Sequence, residues 1–415
     1  MTSEKIIKNS IFLGGSKIIA KLLTTVFTLA IARWSGNEQF GVYSTILTYI
    51  AFFSIIEEFG LTLPLIRKIA KRDQQPGKYI SEIFGLKLLL SVPAFVSFLV
   101  FTQILRIDPV VSVLFGISMV FETLNVSFVR AFEGIETMER IAVITILERL
   151  IFGGLGMTAL MLQGGMVMIA AAHVGASAAL CVMSLVSWRS MKQYIGYVWN
   201  ISLFKRLLIE SMPFAVASIF SVLYMRVDLA ILSLFGSSAE VGVYSASFRI
   251  TDAMIFIPTA IVASIFPVLA RSHAAGSGFE RYYGKYFAIL LSTGVVLGLS
   301  VFLFSDWIIL TLFGSEFSGS ITVLKILCAM VPFTFLNAFV GTALISVNKE
   351  KLSTRAIILL AVFNLTVNMI VIPLFGPIGA AATKVGTEVV GVLYQTFMMN
   401  SSTTYEGLYT QWLAR

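Results

Sequence analysis

Gly36-Asn37-Glu38-Gln39-Phe40-Gly41-Val42-Tyr43-Ser44 follows the first long apolar run of the chain, and Gly236-Ser237-Ser238-Ala239-Glu240-Val241-Gly242-Val243-Tyr244-Ser245 follows the seventh. The tetrapeptide Gly-Val-Tyr-Ser recurs after 201 residues, close to half of the 415-residue length. Each copy stands between two apolar runs, and each returning run ends in basic residues, Arg67 and Lys68 in one case and Arg271 in the other. Agreement in sequence, in position within a hairpin and in spacing predicts a duplicated chain, with lobes at 1–204 and 205–415. Six runs per half is an even number, so both halves enter the membrane from the same side as parallel repeats.

Composition sets the environment. The chain is 57% hydrophobic and 13% charged, with 34 phenylalanines and a mean hydropathy of +0.90. A soluble domain carries about 25% charge, so a soluble enzyme and a DNA-binding protein are excluded. Apolar runs of roughly 20 residues, each enough to cross a bilayer, fall at about 9–34, 41–66, 82–105, 110–129, 140–162, 166–187, 207–235, 241–268, 285–309, 319–345, 353–374 and 376–399. The expected fold is an all-α membrane protein of about twelve transmembrane helices, in two six-helix repeats around a central cavity. A basic start, the apolar stretch 22–31 and Ala30-Ile31-Ala32 also fit a secretory leader. The counterpart of this run in the second half is a full helix, so it is kept as a span.

The net charge of +8 reads as a topology signal, because the basic residues sit in short loops. With the N-terminus inside, Lys5, Lys8, Arg67, Lys68, Lys71, Arg72, Lys78, Arg130, Arg140, Arg189, Lys192, Lys205, Arg206, Arg271, Arg281, Lys285, Lys349, Lys351, Arg355 and Arg415 face the cytoplasm, while Arg33 and Arg106 face outward. That bias places both termini in the cytoplasm. Trp34 and Trp307 near outer ends and Trp188 near an inner end fit interfacial aromatics. Cys181 and Cys328 lie in apolar runs and read as small core residues. There is no phosphate-binding glycine loop, HExxH helix or Cys/His cluster, so no cofactor or metal is expected. Loops of about 20 residues at most leave no room for a catalytic domain.

Ionisable residues at bilayer depth need a partner, water or a function. Lys17 and Lys21 share one face of the first helix. At 1.5 Å per residue they lie about 12 and 18 Å into a core of roughly 30 Å. Two readings stand for them: ion pairs with Glu57 and Glu58 on the returning helix, or a site for an anion. Arg226 is level with Asp252, and Asp228 with Arg249, so crossed salt bridges between the seventh and eighth helices are one reading. The other makes the arginines an anion site, with the aspartates holding them or accepting protons. Lys384 and Glu388 are an i,i+4 pair expected to neutralise each other. Lys87 and Lys325 lie near span ends and are expected to snorkel. Glu122, Glu148 and Arg149 form an expected cluster, and His173 reads as a packed polar residue. Pro93, Pro213, Pro258 and Pro332 are candidate kinks.

Lys8-Asn9-Ser10, Ala32-Arg33-Trp34-Ser35-Gly36 through Gly41-Val42-Tyr43-Ser44, Met212-Pro213-Phe214, Tyr224-Met225-Arg226-Val227-Asp228 through Gly242-Val243-Tyr244-Ser245, and Phe248-Arg249 resemble the polysaccharide transporter family. That family includes the Wzx-type O-antigen flippases and belongs to the multidrug/oligosaccharidyl-lipid/polysaccharide exporter superfamily. The resemblance implies a flippase in the bacterial inner membrane that moves undecaprenyl-pyrophosphate-linked oligosaccharide units from the cytoplasmic to the periplasmic leaflet by alternating access. It implies lipopolysaccharide assembly, with glycan polymerase and chain-length regulator proteins as partners and no nucleic acid. Substrate would meet Lys17, Lys21, Arg226 and Arg249, since pyrophosphate favours several cations in a low-dielectric site. Glu58, Asp228 and Asp252 would serve coupling or gating. Twelve spans, where lipid II flippases of the superfamily have fourteen, make lipid II a less apt substrate. The alternatives are a multidrug or cation antiporter of the same superfamily and, against the duplication and the short outer loops, a membrane glycan polymerase or ligase.

Overall fold

The computed structural model describes residues 3–70, 76–191, 196 and 198–400. Lys71, Arg72, Lys192 and Arg415 of the basic inner set lie outside the described residues. Every regular element among the described residues is helical, as expected where no water is present to satisfy open backbone groups. The helices are α1 (Ser3–Glu58), α2 (Thr62–Ala70), α3 (Pro76–Ile104), α4 (Pro109–Gly134), α5 (Met138–Met161), α6 (Gly165–Ser190), α7 (Ile201–Phe235), α8 (Ser238–Met254), α9 (Phe256–Ala274), α10 (Phe279–Leu303), α11 (Ser305–Leu312), α12 (Gly319–Cys328), α13 (Val331–Ser346) and α14 (Glu350–Asn400).

Among the described residues nine helices or helix pairs are long and apolar enough to cross a membrane, and α12 with α13, bent by 42°, makes a tenth. Two of them exceed one crossing. The stretch Gly14–Glu58 has 45 residues and α14 has 51, about 68 and 77 Å at 1.5 Å per residue, more than twice the hydrocarbon thickness. Each is interrupted by a glycine with non-helical backbone, Gly36 (φ 76°) and Gly376 (φ 55°). Counting each as two brings the ten to twelve, in keeping with the apolar runs, and the chain is a multi-pass membrane protein.

The second run differs from its expected 41–66 form. Helix α1 stops at Glu58, and the backbone turns through Phe59 (φ 37°) and Gly60 (φ 67°) into α2. A Cβ on Gly60 would lie 2.5–2.8 Å from backbone atoms of Ser211, Phe214 and Ala215 in α7, so close backbone approach as well as φ requires glycine here. Among the four prolines, Pro258 follows the α8/α9 break at Ile255 and Pro332 opens α13 after the 42° bend. Pro93 and Pro213 sit inside unbroken α3 and α7.

The helices cluster into two compact units: the chain up to Ser35 with Thr45–Ile219, and Gly36–Ser44 with the chain from Phe220 onward. In the first, Leu61, Leu65, Ile80, Phe128, Phe132, Trp188 and Phe204 belong to one buried cluster. Trp188 is fully buried, 5.7 Å from Phe132 between ring centroids, which corrects the interfacial reading; Trp34 and Trp307 are exposed. In the second unit, one apolar cluster joins Val262, Phe287, Phe335 and Phe339 and another joins Leu232, Tyr244, Leu327 and Ile372.

The two Gly-Val-Tyr-Ser copies meet inside the second unit. A Cβ on Gly41 would strike the Ser238 carbonyl and the Gly242 amide, and one on Gly242 would strike the Asn37 carbonyl. Asn37 and Ser238 are themselves 201 residues apart, so each copy presses on the matching position of the other. Ser237 and Glu240 start α8 with a reciprocal capping box, which satisfies two of its orphan amides.

Candidate functional site

Polar side chains on four helices of the second unit converge. On α7, Tyr224 and Asp228 are four residues apart and share a face; on α8, Tyr244, Phe248 and Asp252 recur at intervals of four. Lys384, Glu388 and Gln395 line one side of α14, and Asn337 comes from α13. Asp228, 0% exposed, accepts from the Tyr244 hydroxyl at 2.6 Å and from the Leu229 amide at 2.9 Å, and lies 3.6 Å from the Lys384 ammonium. That ammonium also donates to the Tyr224 carbonyl at 3.0 Å and stands 5.2 and 5.4 Å from the ring centroids of Tyr224 and Phe248. These rings and oxygens form a cage around a cation.

Glu388 has different partners. The Tyr224 hydroxyl donates to its Oε1 at 2.5 Å and Asn337 Nδ2 to its Oε2 at 2.7 Å, while Gln395 Nε2 holds Asn337 Oδ1 at 3.0 Å. Beside this network lies a cavity of about 390 Å³, with Asp252, Lys384, Glu388, Asn337 and Gln395 among its lining side chains. Lys384 therefore pairs with Asp228 rather than with Glu388 four residues along. A long-range partner on α7 offers the ammonium a second ligand, the Tyr224 carbonyl, which an exposed helical pair lacks.

The expected bridge between Asp228 and Arg249 also gives way, since Asp228 is committed to Lys384 and Tyr244. Arg249 lies with its guanidinium carbon 5.3 Å from the Phe40 ring centroid, within electrostatic range of Tyr43, Arg226 and Asp252. Its Nε is buried without a hydrogen-bond partner among the described residues. Arg226 is half-buried. Lys17 and Lys21 are exposed on α1, in the first unit.

In the first unit Glu58 is 3.6 Å from Lys87 and accepts from Thr62. Lys87 does not snorkel: it is 2% exposed and donates to the Thr123 carbonyl at 2.8 Å. The span brings a carbonyl and an acid to it, so the ammonium is solvated internally. Arg149 pairs with Glu148 at 2.9 Å and is in electrostatic range of Glu122, which forms the expected cluster. His173 is packed between Phe115 and Phe152, at 4.9 and 4.1 Å. Lys325 reaches Asp306 at 2.7 Å, and this hydrogen bond holds the Asp306 carboxyl below its ordinary range. Both cysteines are free thiols. Among the described residues no group of three His, Cys, Asp or Glu side chains is placed to hold a metal ion.

Sequence reading missed Tyr224, Asn337 and Gln395 as members of the network. A usable signal existed in α14, where Asn364 and Asn368, then Lys384, Glu388 and Gln395, repeat polar positions at helical spacing within apolar sequence. Asn364 indeed donates to the Tyr224 carbonyl at 3.1 Å.

Residues 6–273 match the model of the family described as polysaccharide biosynthesis protein, and residues 213–370 match the MatE family model. A "probable low-salt glycan biosynthesis flippase", Agl15 of Haloferax volcanii, is 25% identical over 92% of this chain and 80% of its own length. Among solved structures, the lipid II flippase MurJ in an inward closed conformation superposes with a TM-score of 0.76 at 14% identity, covering 98% of this chain and 91% of its own. An inward-facing MATE-family multidrug resistance transporter of the MOP superfamily gives 0.72 at 14% identity, covering 92% and 95%. The architecture is thus that of the MurJ and MATE transporters, and with its match over residues 6–273 the chain belongs to the polysaccharide biosynthesis protein family of the MOP superfamily.

Proposed function

We propose that this protein is a flippase for lipid-linked glycans, carrying a polyprenyl-pyrophosphate-linked oligosaccharide from the cytoplasmic to the outer leaflet by alternating access of its two repeats, 1–204 and 205–415. The membrane is the plasma membrane, the inner one in a bacterium, with both termini cytoplasmic; the carrier there is undecaprenyl pyrophosphate, the glycan an O-antigen-type unit, and a glycan polymerase and chain-length regulator receive the product. Lys17, Lys21, Arg226 and Arg249 are the proposed substrate-binding cations. Glu58, Asp228 and Asp252 serve coupling or gating, each lying beside a cation.

The observation that carries this reading is Arg249. Its Nε is a buried donor with no hydrogen-bond partner among the described residues, a second arginine is in electrostatic range, and a phosphate oxygen is an acceptor that guanidinium favours. The test uses proteoliposomes with a fluorescent polyprenyl-pyrophosphate oligosaccharide in the inner leaflet and a membrane-impermeant quencher outside. Purified protein should make the lipid accessible, and the R226Q/R249Q variant should not. The second reading, a cation antiporter, draws on the MatE match and on the two acids lining an apolar cavity. Efflux of a lipophilic cation from the same vesicles, without lipid flipping, would establish it.

A further inference from the structure

Arg249 is met by a piece of chain from the other half of the sequence. The hairpin tip Gly36–Ser44 is part of the second compact unit, while the chain on either side of it, up to Ser35 and from Thr45, is part of the first. At the first of these junctions Gly36, with φ 76°, breaks α1. Inside the second unit the tip is seated closely. Phe40 is 0% exposed, its ring centroid 6.3 Å from that of Phe313 and 5.9 Å from that of Phe317. Gly41 presses on the backbone of Ser238 and Gly242, and Asn37 Nδ2 donates to the Glu316 carbonyl at 3.2 Å. The Phe40 ring also stands 5.3 Å from the Arg249 guanidinium carbon, and Tyr43 is in electrostatic range of the same group. A ring face attracts a guanidinium without cancelling its charge. A phosphate cancels it and takes two N–H groups at once. The Nε side of Arg249, one of the edges a phosphate can grip, is closed, since that atom is buried without a partner among the described residues.

We propose that the Gly36–Ser44 tip is a latch that pyrophosphate releases by claiming Arg249, with Phe40 as the residue that holds the arginine until then; this rests on the flippase reading above and adds to it a contact that breaks during transport. With the tip seated, Arg249 lies against Phe40 and Tyr43 and its Nε is shut away. An anion that draws the guanidinium to itself takes the cation from the ring, and the tip loses an anchor. Chain continuity supplies the pull: both ends of the tip run into the first unit, so a shift of that unit is absorbed at the junctions or draws the tip from its seat. Ring packing and close backbone contact re-form without covalent change, so the latch resets. An uncharged lipid leaves Arg249 on the ring, and the device thereby favours phosphorylated carriers.

Three measurements on the full chain test this. S44C, made in a C181A/C328A background, puts a nearly isosteric thiol at a position 4% exposed. Geranylgeranyl pyrophosphate or inorganic pyrophosphate should speed its reaction with N-ethylmaleimide by about tenfold, the factor for losing one desolvated cation–π contact. With R249Q added the thiol should react fast whether or not ligand is present. Acceleration by either ligand upholds the latch, and no acceleration by both overturns it. In the second measurement 3,4,5-trifluorophenylalanine replaces Phe40, which keeps the ring's shape and weakens its negative face. Geranylgeranyl pyrophosphate should then bind more tightly, by up to about tenfold; unchanged affinity means that the ring only packs, and overturns the proposal. In the third, N37C/E316C is bridged by a short bis-methanethiosulfonate and reconstituted with the fluorescent polyprenyl-pyrophosphate oligosaccharide. Flipping should stop in the bridged protein and return on reduction. Flipping that continues in the bridged protein refutes the latch and leaves the flippase reading intact. Absence of flipping in bridged and reduced protein alike, with the ligand response of S44C retained, refutes the flippase reading and leaves the latch.

Discussion

Replacing Lys384 by Met tests whether the buried network is held by one ion pair. Methionine keeps the length of the side chain and removes its charge, so packing changes little. Asp228, with no exposure, then keeps the Tyr244 hydroxyl and the Leu229 amide but loses its cation. Stranding a charge in this way is worth about 3–5 kcal/mol of destabilisation. D228N should be milder, by about 1–2 kcal/mol, because the stranded ammonium retains the Tyr224 carbonyl and two rings and has Glu388 one turn away. The double variant K384M/D228N removes both charges and should be less destabilised than the sum of the two single changes, by a coupling of about 2–3 kcal/mol. Reversible unfolding in mixed micelles measures the cycle; where unfolding is irreversible, the order of half-inactivation temperatures carries the same comparison. A double variant as unstable as the sum of the two single ones would show that Lys384 and Asp228 act independently and would refute the account.

Other substitutions probe separate parts of the molecule. G41A and G242A each push a Cβ into the backbone of the opposite hairpin, an overpacking worth about 1–3 kcal/mol; combined they should fall short of the sum, since one displacement relieves both, as the same unfolding measurement will show. K87M removes the internal cation beside Glu58 and the Thr123 carbonyl and should lower stability by about 2–4 kcal/mol, less than K384M because Glu58 is a third exposed and solvent screens it. R249Q should weaken binding of geranylgeranyl pyrophosphate by at least about tenfold, one charge-assisted hydrogen bond, with unfolding midpoints unchanged; equal affinity in both proteins, by titration calorimetry, counts against an anion site there.

The fold was readable because the bilayer imposes a length and the backbone an obligation. A run of about 20 apolar residues has one available structure in lipid, so twelve runs give twelve crossings even where α1 and α14 carry two apiece. The hairpin repeat was readable for a different reason. Gly41 and Gly242 are fixed by contact with each other's hairpin, a constraint that preserves the same residue types in both copies. What sequence could not give was the ends of elements: the break at Gly60 is set by the approach of α7, some 150 positions away in the chain, and nothing in residues 41–66 announces it.

Charge pairing was the least readable level, and the reason bears on how intramembrane ions should be read at all. Sequence spacing offers the nearest opposite charge, which for Lys384 is Glu388 on the same helix. In water that neighbour is a fair guess, since pairs of this kind are worth only a few tenths of a kcal/mol and compete with solvent. In an apolar interior the choice is made by the full set of ligands each ion can collect. Asp228 brings Lys384 a carboxylate, and Tyr224 one turn earlier on α7 brings it a carbonyl and a ring face. Lys87 likewise stays inside the first unit because Thr123 and Glu58 replace the water it would otherwise seek. A lysine that leaves its near neighbour for a better-furnished distant one leaves that neighbour under-compensated. In this chain the neighbour left behind, Glu388, is also one of the two acids that line the cavity.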